Sequence, residues 1–518
     1  MGFYLGFDSS TQSMKAIIID AENGGIIASE AVNFGEDLPQ FNCPDGFLEN
    51  PDPLFKHSNP LMWLAALDLV LEKLKSKAAP LDKVKAISGS GQQHGSVYLK
   101  ENFESVLSLL DPSQNLQEQI APTLSRKTSP IWMDSSTEKE CEEITNAIRE
   151  RLQKETGSPA IERFTGPQIR KFYKQSPENY EQTKTIHLVS SFLASVLCGE
   201  SAPIDYGDGG GMNLMNLATL QWDKEIAEAT ARGLIDKLPP IKPSNSIAGK
   251  LHKYFEKYGL KSGIPVVTWS GDNPNSLIGT GADKPGVAVI SLGTSDTFFA
   301  AMDSYKVDPD GCGHVFGNPA CGFMSLICFK NGSLARERVK DECNVDWNFF
   351  DNETAKKTAP GNNGNIMLPY FVSEITPPVL KAGAIKKGSE DFVNGSAPAP
   401  VKIRAVMESQ ALSMKLHSEW IGKDFTHIRV TGGASKSSIL CQILADVFQA
   451  KLEKISIPDS AGLGAAMRAA NAVGNFSFDE LTAKFATPNE TVEANPANKE
   501  IYKKLLEDYR KLERKARQ

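Results

Sequence analysis

The feature that most constrains this chain is a pattern that occurs twice. GFDSSTQSMKAIIID near the start and VISLGTSDTFFAAM past the middle each read as an apolar strand, a turn of small hydroxyl-bearing residues with an Asp, and a second strand. Two hairpins with the same polar tip suggest a duplicated domain whose halves close over a cleft. A tight turn between strands points successive backbone N–H groups into one concavity. The hydroxyls add donors, so each tip suits a phosphate. Asp8 would repel a phosphate placed directly on it. It suits a Mg2+ ion that bridges to phosphate oxygens, with Lys15 supplying further positive charge. For either turn taken alone, an ordinary hairpin with a polar tip is the plainer reading.

A chain of 518 residues exceeds one ordinary core and predicts two or three domains. The division is placed between an N-terminal domain, 1–264, and a C-terminal domain, 265–518, whose final charged helix is free to pack back on the first. Strands are expected at 3–7, 15–20 and 26–33, with Asn23-Gly24-Gly25 as a hairpin turn. Leu64, Leu67, Leu71 and Leu74 recur at helical spacing. VKAISGSG reads as a strand ending at Gln92. One helix is expected over 137–153, with Thr137 and Glu140 as a capping box, and another from Pro177 to near Gly199. GDGGGMNLMNL reads as a flexible or tightly turned connection, and PPIKPSNSIAG as a linker to the second domain. After the strand PVVTWSG, Asn273-Pro274 reads as N-cap and first helical residue. That sets Asp272 at a helix N-terminus, where the dipole favours its ionised form. Its plainer role is to stabilise the turn. Further helices are expected at 401–420, 436–449 and 461–472, and over the charged tail.

Several function classes are disfavoured. The formal net charge of -7 gives no basic footprint for nucleic acid. No GxxxxGK[ST] occurs, and no GxGxxG stands between a strand and a helix, so neither a Walker-type loop nor a nicotinamide or flavin enzyme is expected. Gly462-Leu463-Gly464 lies in a helical pattern and reads as close helix packing. The eight cysteines are scattered with no CxxC pair, which fits free thiols in a reducing compartment. No signal peptide precedes the opening strand, and HLVSSFLASVLCG is too short and polar to span a bilayer. A cytoplasmic protein with no membrane or nucleic-acid partner is expected.

Six short motifs in order carry a family resemblance: DSSTQSMK, SGSGQQHG, ERFTGPQI, WSGDNPNSLIGTG, SLGTSDT and VTGGASKSSILCQILADVF. The chain resembles the FGGY family of carbohydrate kinases, and within it the eukaryotic members that act on a ketopentose. The resemblance implies an α/β fold of two ribonuclease H-like domains, as in the actin/hexokinase/Hsp70 superfamily, with ATP and sugar meeting in the interdomain cleft. It implies ATP and Mg2+ as cofactors, transfer of the γ-phosphoryl group to D-xylulose to give D-xylulose 5-phosphate, and domain closure on substrate. It implies Asp272 as general base and sugar contact, with His94, Arg163 and Asn273 on the sugar. Thr11, Gln12, Ser13, Gly293, Thr294 and Ser295 are assigned to phosphates, and Trp347, Gly432, Gly433 and Ser437 to the adenosine. Asp8 is the Mg2+ residue. Ser10 stands where many relatives have glycine, and Ser437 where relatives resembling GGASxN have asparagine. The alternatives are a kinase for ribulose, gluconate or glycerol, and an actin- or Hsp70-like protein whose output is conformational. A monomer and a homodimer both remain open.

Overall fold

In the computed structural model, which describes residues 2–517, the first polar tip joins β1 (Phe3–Ser9) to β2 (Ser13–Asp20), and β3 (Gly25–Asn33) follows antiparallel. β1 is buried along its whole length, which explains why FYLGFDS shows no polar alternation. β4 (Val84–Gly91) runs parallel to β1. β5 (Ile247–Lys250) and β6 (Pro265–Val267) widen the sheet to the order β5-β6-β4-β1-β2-β3, and β7 (Ser270–Gly271) pairs with the end of β4.

The second polar tip repeats this layout. It joins β8 (Val287–Leu292) to antiparallel β9 (Asp296–Met302), and β8 pairs in parallel with β10 (His427–Thr431). β11 (Lys451–Lys454) continues parallel, and β12 (Glu490–Val492) closes that side antiparallel. The duplication read from the two hairpins is therefore a duplication of sheet topology.

The main helices are α1 (Pro60–Ser76), α2 (Val189–Cys198), α3 (Asp272–Gly279), α4 (Ser333–Glu342), α5 (Ala399–His417), α6 (Ser438–Phe448), α7 (Ser460–Gly474) and α8 (Lys499–Ala516). α1 starts as its sequence dictates. The Asn59 side chain accepts from the Leu61 N–H, a cap worth about 1 kcal/mol, and the predicted leucine stripe is buried.

The chain forms two units. The first runs through Asp283 and takes back Val315–Met324 and Pro458–Ala486; the second holds Lys284–His314, Ser325–Ile457 and the residues from Thr487 on. The division thus differs from the one placed at 264/265, because β6 is a strand of the first sheet and α3 follows directly from it. The final helix, α8, packs on α5 and α6 within the second unit.

Within the first unit α3 and α7 cross at backbone distance. A Cβ on Gly464 would stand 1.9 Å from the Asn275 carbonyl oxygen, and one on Gly279 1.9 Å from that of Ser460. A Cβ on Gly6 of β1 would stand 2.1 Å from the Gly462 carbonyl oxygen. Gly462-Leu463-Gly464 is therefore a packing element, as its helical pattern indicated.

Three sequence expectations are corrected. The helix over 137–153 is two helices, Glu138–Ile148 and Glu150–Thr156, parted at Arg149 with φ of 60°. The Thr137 hydroxyl donates to the Glu162 carbonyl instead of capping. The helix from Pro177 ends at Glu181, and Thr185–Leu188 forms a strand before α2 begins. PPIKPSNSIAG is not a linker: Ile241–Lys242 pairs with Ile204–Asp205, and β5 is an edge strand of the first sheet. Among the described residues no helix is long and apolar enough to cross a membrane, and all eight cysteines are free thiols.

Candidate active site

Asp272 is the first residue of α3, and Gly271 is the N-cap. Asn273 is thereby released from the capping role predicted for it. Its Nδ2 donates to Gln93 Oε1 at 2.9 Å and to Asp272 Oδ1 at 3.1 Å, and its backbone N–H donates to the same Oδ1 at 2.9 Å. Two further residues pin this turn. Asn275 Nδ2 donates to the carbonyls of Gly271 and Gly89. Arg468 of α7, almost wholly buried, donates to Asn275 Oδ1 and to the Thr268 and Ser244 carbonyls. Burial pushes the Asp272 carboxyl up to about 6, against the pull of the N–H groups of Asn273 and Gln93. A carboxylate so placed is ionised at neutral pH and basic enough to take a proton.

His94 lies where β4 turns away from the sheet, with φ of 69°. Its ring stacks on Phe164, centroids 4.2 Å apart, and Nδ1 lies 2.7 Å from the Gly211 carbonyl oxygen. A carbonyl only accepts, so Nδ1 carries the proton. Burial and the positive charge of Arg163 hold the imidazole down to about 3, so it is neutral across the physiological range. Nε2 is then an acceptor, suited to a hydroxyl proton. The structure thus gathers His94, Asp272 and Asn273 around Gln93, with Arg163 close enough to bear on His94.

The first polar tip is closed by the residue that departs from glycine. The Ser10 N–H donates to the Ser13 carbonyl at 2.9 Å and its Oγ donates to the same oxygen at 3.0 Å. Ser10 has no positive φ, so glycine is not required there. Ser10, Thr11, Gln12 and Ser13 line an open cavity of about 550 Å³ with Asp45, Phe47, Trp132 and Met133. Trp132 Nε1 donates to Thr11 Oγ1 at 2.8 Å. Asp8 pairs across the hairpin with Lys15. It is buried, and its Oδ1 has no hydrogen-bond partner. Burial, then the charges of Asp459 and Asp272, raise its pKa well above the usual carboxylate range. An unpartnered carboxylate oxygen is the kind of hard donor a divalent cation takes, but among the described residues no three side chains are grouped to hold a metal ion, so Asp8 would share it with phosphate oxygens and water.

The second unit holds a cavity of about 460 Å³ lined by Gly293, Thr294, Trp347, Gly433 and Ser437, among others. Behind its turn, Asp296 is gripped by Arg336 through two bonds of 2.8 and 3.1 Å. Ser295 is exposed at the same turn but does not line the cavity, and neither does Gly432. Gly432 has φ of 92°, and a Cβ there would stand 2.4 Å from the Leu292 carbonyl oxygen, so the turn itself demands glycine. Trp347 is 47% exposed.

Comparison with known proteins places this arrangement. Residues 3–279 match the N-terminal domain, and residues 288–473 the C-terminal domain, of the FGGY family of carbohydrate kinases. The chain belongs to this family. The kinase is 43% identical over 487 residues to xylulose kinase 2 of Arabidopsis thaliana, covering 90% of this chain and 87% of that protein. It is 40% identical over 523 residues to the xylulose kinase of Rattus norvegicus, covering 99% of this chain and 96% of that one. The crystal structure of xylulose kinase from Rhodospirillum rubrum superposes with a TM-score of 0.83 at 20% identity over 98% of both chains, so the kinase has the ribonuclease H-like fold of these enzymes.

Several residues of the kinase's candidate site escape a reading of the sequence. Gln93 links Asn273 to the His94 turn, yet a glutamine beside a histidine carries no signal of its own. Asp459 reaches the Asp8 neighbourhood from the start of α7, over four hundred residues away in the chain. Asp208 is buried with Oδ1 unpartnered, accepts from Ser190 Oγ, and is close enough to Asp272 that the charge of Asp272 helps raise its pKa. Its string, GDGGGMN, reads as a flexible connection but is a buried turn of helix, Tyr206–Gly209 and Gly210–Met212.

Proposed function

We propose that this protein is an ATP-dependent D-xylulose kinase that forms D-xylulose 5-phosphate with Asp272 as general base. The carrying observation is the Asp272 carboxylate, half-buried, raised to about 6 and braced by Asn273 and Gln93 beside a neutral histidine acceptor. Identity of 40–43% over most of the chain to proteins named xylulose kinase supports the choice of sugar. His94, Asn273 and Arg163 hold and orient the sugar, with His94 Nε2 accepting from one hydroxyl and the Arg163 guanidinium donating to others. Asp272 accepts the proton of the terminal hydroxyl as its oxygen bonds to the γ-phosphorus, and ADP departs. The Gly293–Thr294 turn, Gly433, Trp347 and Ser437 hold the nucleotide, while Ser10–Ser13 and Lys15 offer donors and charge to phosphate oxygens. Asp8 is the residue to hold Mg2+, which when bound neutralises phosphate charge. The free thiols suit a cytoplasmic setting.

The test is sugar-dependent ADP release. D-xylulose is expected to give turnover well above the no-sugar rate and above ribulose, gluconate and glycerol at equal concentration. No turnover with D-xylulose, or a clear preference for another member of the panel, overturns the assignment. The base also predicts a pH limb. Protonated Asp272 cannot accept a proton, so kcat/KM should be flat above the pKa and fall about tenfold per unit below about 6. A flat kcat/KM down to pH 5, on protein that stays folded, removes Asp272 from that role.

A further inference from the structure

We infer that Asp351, fixed in place by Ser437, reads the 6-amino group of the adenine ring and sets the preference for ATP over 6-oxopurine nucleotides. The inference rests on reading the second unit's cavity as the nucleotide site.

Four observations carry it. First, the cavity has a phosphate side and a base side. The Ser333 N–H, at the start of α4, donates to the Gly293 carbonyl at 2.9 Å, tying that end of the helix to the polar turn. Lys340, seven residues further along α4 and hence about 10 Å away, lies 5.5 Å from the centre of the Trp347 ring. Trp347 therefore stands at the far end, where a base would lie. Second, Phe350 and Asp351 line the same cavity, and Phe350 meets Trp347 edge to face at 5.1 Å. Third, Ser437 Oγ donates to Asp351 Oδ1 at 2.6 Å while accepting from the Leu440 N–H at 3.3 Å. The serine's one proton is committed, so it orients Asp351 and does not itself donate to a ligand. Fourth, among the described residues Oδ2 of Asp351 takes no hydrogen bond from another side chain, which leaves a fixed acceptor in the cavity.

The chemistry follows from the inventory of donors and acceptors. Stacking on Trp347 tolerates any base and selects none. An ionised carboxylate only accepts. Adenine offers it the N–H of a 6-amino group; hypoxanthine and guanine offer O6, another acceptor, and are repelled. Glu337 is the competing carboxylate. It lies one turn into α4 from Ser333, toward the phosphate end, where ribose hydroxyls rather than a base would meet it. Lys436 is exposed on a long stem and fixes no geometry. The arrangement also defines how Ser437, itself in the cavity wall, helps hold the nucleotide: its proton goes to Asp351, and it acts through that carboxylate.

The experiment measures ATP, ITP and 2′-deoxyATP kinetics at saturating D-xylulose, with ADP and IDP binding by calorimetry as a readout independent of turnover. Wild type is expected to prefer ATP over ITP by at least a hundredfold in kcat/KM. Asp351→Asn, whose amide can donate to O6, should raise the KM for ATP about tenfold or more with kcat nearly unchanged. It should lower the KM for ITP, so that the preference collapses. Asp351→Ala should weaken ADP and leave IDP unchanged, and Ser437→Ala should give a smaller shift of the same sign. Glu337→Gln should shift ATP and ITP together. Equal losses for ATP and ITP in Asp351→Asn, or losses for ATP that vanish with 2′-deoxyATP, would place Asp351 on the ribose and overturn the inference. So would unchanged binding of both diphosphates. Absence of sugar-dependent turnover in wild type would sink the kinase reading instead, while the ADP and IDP affinities would still decide the role of Asp351.

Discussion

Asp272→Asn is expected to lower kcat about a thousandfold, within the range general-base removal produces, while D-xylulose binding stays within a few-fold. Asparagine keeps the shape of the side chain and can still bond to Asn273, whose Nδ2 also holds Gln93. What it loses is the lone pair that takes the hydroxyl proton. The measurement is kcat beside a calorimetric Kd for the sugar. A variant that folds, binds sugar and keeps more than a tenth of wild-type kcat would show that the proton leaves by another route. The residual rate should also lose the pH limb near 6, which separates loss of the base from displacement of α3.

Gly464→Ala is expected to be among the most damaging small substitutions in the first unit. The added Cβ meets the Asn275 carbonyl oxygen at 1.9 Å, and the Gly279 backbone N–H stands 2.9 Å away. Neither is the movable end of a side chain. α3 and α7 must separate, with a cost of about 3 kcal/mol for overpacking. Because α3 opens with Asp272 and Arg468 of α7 anchors Asn275, activity should fall along with stability. Thermal denaturation and residual kcat should show both. Gly25→Ala is the control: nothing lies within 4 Å of its added Cβ, so its melting temperature should not move. A Gly464→Ala protein that melts like wild type would mean that the two helices tolerate a wider crossing.

Much of this architecture is readable in the chain. Both hairpins fall where strand, polar tip and strand alternate, because such a pattern depends on residues close in sequence. The parallel pairing of β1 with β4 and of β8 with β10 depends on distant partners, and only the repetition hinted at it. The divergence between the two tips was not legible. Asp8 and Asp296 occupy similar turns, yet Asp296 is neutralised by Arg336, forty residues on, and Asp8 keeps an unpartnered oxygen. Likewise Asn273-Pro274 gives a strong local capping signal, but Gly271 takes the cap and Asn273 turns to Gln93. The breaks at Arg149 and after Glu181 escaped for the same reason: tertiary partners, not local preference, ended those helices.

The return of α7 to the first unit has a consequence for how the chain comes into being. β1 and β2 leave the ribosome well ahead of α7, which packs over Gly6 and follows about 440 residues after the end of β2. Until then one side of the opening strands has no permanent cover. The first unit therefore cannot mature ahead of the second during synthesis, and its assembly is a late, long-range closure of the kind that folds slowly and leaves apolar strands open to wrong partners.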